Sequence, residues 1–348
     1  MKKVISAAFL IAVTMILCCC SPNEAREEAP PTPEQQQEVK TDKTVLTMAV
    51  EKGLSENAYE AVRCFAEKVE VVSDGSMTVE ILSCEDLLNN IDVGCDLAFG
   101  TNDEFARANG DFLIYSSPFY FADYNHLTMT LNSNQFNVIT KNSSANLIKA
   151  TPIGAFYDGA YYIISSREEM YDTLDQYKGK MINTVGAQPL FEEILSSLGA
   201  DCRERDEQYL LDNFGKNRNI SAIECKTDML GQITKREKVE RFHVCKSFHR
   251  ADINWLMLSE KARNTLNAYQ MAVITEATAY AIAKNDGAVL EREEQSINAA
   301  QQMGGMMTAL NQMEFSNHAE MTLKSSNKYG SLWDWLVYEE VQNIAFEK

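Results

Sequence analysis

Three consecutive thiols, Cys18-Cys19-Cys20, followed by Ser21, close a leader made of Lys2-Lys3 and an apolar run from Val4 to Leu17. A cysteine at the cleavage point of an export signal offers its thiol for lipid attachment, and an apolar run this short does not persist as a bilayer span. Leu17 stands three residues before Cys20, which makes Cys20 the expected acylated residue and residues 1–19 the signal peptide. Palmitate-type acyl chains on one residue hold a soluble domain at a membrane surface without any protein span. The expected location is therefore the periplasm, by lipid anchor to a cell membrane.

The remaining reactive side chains point to no catalytic chemistry. Cys64, Cys84, Cys95, Cys202, Cys225 and Cys245 are widely spaced with no C-x-x-C pair, so they read as disulfide partners or as buried thiols. The four histidines lack i,i+4 spacing and a neighbouring cysteine pair, which argues against a metal site. No G-x-S-x-G elbow, H-E-x-x-H helix or phosphate loop occurs. Glu192-Glu193 and Glu293-Glu294 read as solvated helix faces. The expectation is a protein that is not an enzyme and has no cofactor. The formal charge is -18, and removal of Lys2 and Lys3 with the signal makes it -20. Such a surface repels phosphate backbones, so nucleic acid is not an expected partner.

The elements that must position a site follow from periodicity. Residues 20–43 hold four of the seven prolines, many charges and no apolar run, which reads as a disordered tether. Beyond it, Val45–Val50 has strand character, and Ser55 caps a helix with Ala58, Ala61, Val62, Phe65 and Val69 on one face. Asp74-Gly75 turns into a strand at Met77–Leu82, and Asp96–Phe99 gives a third. Strand, helix, strand recurs over Gly179–Thr184, Pro189–Leu198 and Ile220–Ile223. This alternation predicts an α/β fold of two lobes, each with its own sheet. From Ser259 to Lys284 a helical face repeats Leu266, Tyr269, Val273, Ala277 and Tyr280, with Gly287 as its kink or end.

The segments AYEAVRCFAEKVEVVSDGSMTVEIL, VGCDLAFG, SPFYFADYNH, YKGKMI and LMLSEKARNTLNAYQ, in that order, resemble the solute-binding proteins of TRAP transporters, the DctP family, over about residues 45–300. The resemblance implies a periplasmic-binding-protein-like fold, with crossing hinge strands and a long lobe-spanning helix. It places lobe I at 44–157 plus about 250–289, lobe II at 158–249 plus about 290–325, and a C-terminal helix at 326–348. It implies a small-molecule ligand held in the interlobe cleft and delivered to the membrane subunits of an ion-driven TRAP permease. It also allows a tetratricopeptide-repeat lipoprotein as companion. The alternative reading is a lipid-anchored structural or surface-interaction lipoprotein.

Departures from the family pattern matter for the ligand. The strand at Lys178–Ile182 ends in the family with an arginine that forks onto a carboxylate; Asn183 stands there in this chain. A second family arginine falls near Tyr161. Glu224 holds the place of a polar ligand contact, and Arg218 lies just upstream as a replacement cation. With aromatic residues such as Phe156, Tyr157, Tyr161 and Tyr162 at the crossover, the expected cleft is poor in cations and suits an apolar or zwitterionic solute over a dicarboxylate. The candidate ligand contacts are Glu51, Tyr157, Tyr161, Asn183, Arg218 and Glu224.

Overall fold

The computed structural model describes residues 43–344 apart from 134–135, 137–139, 167–168, 218, 221, 235–241 and 334. Cys20, the tether up to residue 42 and Arg218 lie outside the described residues. Nine strands form one mixed sheet: β1 (Thr44–Glu51), β2 (Met77–Cys84), β3 (Leu97–Thr101), β4 (Ala150–Ser165), β5 (Met181–Val185), β6 (Asp201–Arg205), β7 (Ala222–Lys226), β8 (His243–Ser259) and β9 (Met306–Ala309). Their order is β2-β1-β3-β8-β4-β7-β5-β6, with β9 beside β8. The short strands of each arm are parallel, β2-β1-β3 on one side and β7-β5-β6 on the other. The long antiparallel pair β4 and β8 lies between them and joins both arms. The strand-helix alternation thus builds the two expected parallel arrangements, and the antiparallel crossing strands merge them into one ladder.

Local chemistry explains the elements. Ser55 Oγ accepts from the Ala58 amide at the start of the helix Glu56–Val72, whose buried residues include Ala58, Ala61, Val62, Phe65 and Val69. That stripe packs with Val273, Ile274, Ala277 and Ala281 of the long helix in one apolar cluster. Asp74 and Gly75 both take positive φ, 49° and 77°, to reverse the chain into β2; glycine does so without a Cβ clash.

Three expectations shift. The long helix runs from Ala268 to Gln302, straight through Gly287, and a separate short helix, Glu260–Thr265, precedes it. Its start is fixed by a capping box between Asn267 and Gln270. An interior glycine costs only about 1 kcal/mol, and Asp286, Val289 and Glu293 are buried anchors on both sides of it. The seventh strand begins at Ala222, beyond Ile220, and the terminal stretch contributes the helix Trp335–Ile344. All six cysteines of the described chain are free, with Cys64, Cys95, Cys225 and Cys245 buried; burial pushes the Cys95 thiol up to about 11.

Candidate ligand-binding cleft

β4 and β8 stay in register except at three irregularities, and the largest of these builds the site. Tyr161 pairs with Arg250, yet Ile163 pairs with Cys245, so β8 spends four residues, Lys246 to His249, opposite Tyr162 alone. Within this excursion Phe248 adopts φ 42°, a conformation that a bulky residue holds only where its surroundings impose it. The excursion carries His249 into the interior, stacked on Phe191 at 4.4 Å between ring centroids. The imidazole meets Ser247 Oγ at Nδ1 (2.7 Å) and Glu224 Oε1 at Nε2 (3.1 Å).

Arg250 follows at once. Its Nε donates to Glu224 Oε1 at 2.6 Å, its Nη1 donates to Asp252 Oδ1 at 3.0 Å, and its guanidinium carbon sits 3.3 Å from the Tyr161 ring centroid. Asp252 Oδ2 accepts from the Tyr161 hydroxyl (2.8 Å) and from Lys226 Nζ (2.8 Å). Lys226 also donates to Asp158 Oδ2 at 3.0 Å, and Ser55 Oγ donates to Asp158 Oδ1 at 2.9 Å. One connected network thus joins β4, β7 and β8 to the cap of the first helix.

Its protonation states follow from which effect wins. Burial opposes ionisation of Glu224, but Arg250 and His249 outweigh it and hold the carboxyl below its usual range. Burial likewise opposes the charge on Asp252, and Lys226 and Arg250 again prevail. Asp158 goes the other way: burial raises its carboxyl, and Lys226 and Ser55 recover only part of the loss. Desolvation lowers His249 in spite of Glu224, so the ring is the neutral member of the set.

The network opens on a cavity of about 600 Å³, within the usual size of small-ligand sites. Both arms wall it: Leu54, Asp103 and Leu113 come from the β1–β3 side, and Gln188, Leu190 and Lys226 from the β5–β7 side. Asp103 lies in the first turn of the helix Asn102–Ala106, where Thr101 Oγ1 caps the Glu104 amide. It is solvent-exposed at the cavity and has no ion pair or hydrogen bond among the described residues; desolvation by the surrounding wall, then Asp252, push its carboxyl up, and Arg250 opposes them.

Of the described candidates from the sequence, Tyr161 alone lines this cavity. Glu224 lies one shell behind it, completely buried under Arg250, with Oε2 unbonded. Tyr157 is buried with its hydroxyl on Glu293 Oε1 of the long helix at 2.8 Å. Glu51 Oε2 accepts from the amide and hydroxyl of Thr101, at 2.7 and 2.9 Å, and so braces the end of β3. Asn183 is fully buried on β5, donating to the carbonyls of Asn219 and Ala222. The expectation of a cleft poor in cations is corrected: Arg107, Lys226 and Arg250 all stand in its wall. Most of the crossover aromatics are core instead, Phe156 and Tyr157 among them. Sequence reasoning missed Arg250, Asp252, Lys226 and Asp158. A signal for the first two was present, because Arg250 and Asp252 alternate just before the apolar end of the strand and period two puts both on one face.

No protein-family model matches the sequence, and no curated protein sequence is significantly similar to it. Solved structures do match. A TRAP periplasmic solute-binding protein of Escherichia fergusonii, in an apo open form, superposes with a TM-score of 0.71 at 16% identity, over 86% of this chain and 99% of that one. The fold is that of TRAP periplasmic solute-binding proteins. One from Ochrobactrum anthropi, with a C-terminus bound in its ligand pocket, gives 0.72 at 14% identity over 89% and 98%. Another from Desulfovibrio desulfuricans, with bound sn-glycerol-3-phosphate, gives 0.65 at 15% over 88% and 98%.

Proposed function

We propose that this chain is an extracytoplasmic solute-binding receptor, a carrier and not an enzyme, that takes one small molecule into the cleft beside Arg250 and hands it to a TRAP-type ion-driven permease. The observation that carries this reading is the cavity itself, walled by both arms of the sheet and floored by a charged network on the two strands that cross between them. In this reading, lobe I is 44–157 plus about 250–289 and lobe II is 158–249 plus about 290–325, so that the cleft closes by rotation about the crossing strands. The likeness to proteins that hold sn-glycerol-3-phosphate, L-gulonate or D-glucuronate supports a small polar solute.

Cys20 carries the lipid, residues 20–43 are the tether, and the permease subunits, with or without a tetratricopeptide-repeat lipoprotein, are the partners. Cys20→Ser then releases the protein from the membrane fraction; retention of lipid in that variant shifts the anchor to Cys18 or Cys19. The receptor role is tested by equilibrium dialysis against a metabolite mixture, read by mass spectrometry, with solution scattering on the same samples. The expected result is enrichment of one or a few small molecules with a smaller radius of gyration. Equal composition on both sides of the membrane overturns the reading.

A further inference from the structure

The polar wall of the cleft has two distinct vacancies of opposite sign. The first belongs to Arg250. Its side chain is more than nine-tenths buried, at 8% exposure, and forms part of the cavity wall. Nε and Nη1 are committed to Glu224 and Asp252, while Nη2 donates to no described residue. A guanidinium nitrogen held at the wall of a cavity by two fixed ion pairs and a ring beneath it is a donor with its direction already set. It calls for an anionic or strongly polar oxygen.

The second belongs to Asp103. Exposed at the cavity, it is the wall carboxylate without an ion pair to a described residue, with Arg250 acting on it only at longer range: Asp158 has Lys226, and Asp252 has both Lys226 and Arg250. The wider balance has the same sign. Counting the groups in direct ion contact with the wall, Asp103, Asp158, Asp252, Glu224 and Glu104 face only Arg107, Lys226 and Arg250. Five carboxylates against three cations leave the cleft acidic, and a ligand of two negative charges enters against that field. A ligand with a single anionic end finds the open Arg250 donor, but a purely anionic one leaves Asp103 desolvated and unpaired on closure, which is costly.

From these two groups, and resting on the receptor reading above, we infer that the solute is a small zwitterion, with an ammonium nitrogen received by Asp103 and a carboxylate or comparable anionic oxygen received by Arg250 Nη2. A dicarboxylate satisfies only Arg250, and a diamine only Asp103. The carboxylate fork thus moves from the β5 position held by Asn183 to β8, and its new setting adds a counter-charge for nitrogen.

The test compares three probe sets on the mature protein by thermal shift and then calorimetry: the twenty proteinogenic amino acids, succinate with its short dicarboxylate homologues, and 1,4-diaminobutane with its homologues. The expected result is a shift confined to one or a few amino acids, with affinity falling at least tenfold in Asp103→Asn, which removes one charge and no hydrogen-bond partner within the protein. Asp103 makes no ion pair or hydrogen bond with a described residue, so this variant is expected to unfold close to the wild-type temperature. Binding of succinate or 1,4-diaminobutane alone overturns the inference and leaves the receptor reading standing, as does amino-acid binding unchanged in Asp103→Asn. If every set is silent, the solute released from never-denatured protein decides by its composition: a molecule with both groups supports the inference, and one lacking either group refutes it. Recovery of no solute, with all probes silent, overturns the receptor reading itself.

Discussion

The Arg250 guanidinium sits over the Tyr161 ring, 3.3 Å from carbon to centroid, and the two residues are also register partners across β4 and β8. The backbone pairing brings the cation over the ring, and two hydrogen bonds fix it there, from Nε to Glu224 and from Nη1 to Asp252. Desolvated cation–π contacts contribute about 2 kcal/mol, and here the ring is buried and hydrogen-bonded to the same aspartate as the cation.

Removing the cation is therefore expected to be far worse than trimming the ring. Arg250→Gln leaves Glu224 buried without its main counter-charge and costs about 3–5 kcal/mol, whereas Tyr161→Phe keeps the stack, loses one hydrogen bond and costs about 1 kcal/mol. Urea unfolding of both variants checks the ranking. Equal losses would mean that the ion pair is not formed.

Asn183 gives a contrasting prediction. Its amide is enclosed on β5 and bonds two backbone carbonyls, so Asn183→Arg places an unpaired guanidinium in the interior. Stability drops by several kcal/mol, and no affinity for dicarboxylates is gained. Calorimetry with succinate on a folded Asn183→Arg protein checks this, since tighter binding would bring that side chain into the cleft.

In the long helix, Gly287 is exposed, and a Cβ there meets nothing within 4 Å. Gly287→Ala is expected to stabilise by about 0.5–1 kcal/mol through helix propensity alone. Gly154, by contrast, has Thr278 Cγ2 only 2.6 Å from a built Cβ, with Ile282 Cδ1 at 3.1 Å. Gly154→Ala forces the helix off β4 at a cost of about 1–3 kcal/mol. Thermal unfolding of the pair shows opposite signs if the helix packs as described.

Acid should loosen the C-terminal helix first. His126 Nδ1 accepts from the Ala122 amide and its Nε2 meets the Val341 carbonyl at 3.0 Å, which is the neutral tautomer. Burial lowers its pKa from the ordinary value, more than Val341 and Asp123 restore. The folded value lies below the unfolded one, so this contribution is complete above about pH 6.5 and is lost as pH falls toward the lowered folded value. Desolvation lowers His243, His249 and His318 in the same sense. The unfolding midpoint is expected to drop between pH 7.5 and 5.5, and to drop less in His126→Gln. An identical acid response in that variant would remove His126 from the account.

The fold was legible where the signal is local. Ser55 as a cap, Asp74-Gly75 as a turn and the strand character of β1 and β2 all depend on near neighbours in the chain. The end of the long helix was not legible, because Gly287 is weighed against buried anchors, Asp286 and Glu293, whose partners Tyr124 and Tyr157 lie more than a hundred residues away. The site was legible only at Tyr161. Glu224 and Arg250 are 26 residues apart and meet through a four-residue excursion in β8 whose strain at Phe248 no pattern of residue types announces. Asp103 reads in sequence as an ordinary first-turn acid, and its meaning comes from what surrounds it.

The receptor reading requires one solute in the cavity beside Arg250. Ala187 lines that cavity, exposed and outside the regular elements, so Ala187→Trp fills space there with little strain on the fold. Native mass spectrometry of wild-type and Ala187→Trp protein, each purified without denaturation and exposed to the same metabolite mixture, measures occupancy directly. Occupancy of the cavity gives a single additional mass on the wild type, released on unfolding, and none on Ala187→Trp. Equal occupancy of the two proteins, or bare polypeptide in both, would contradict it.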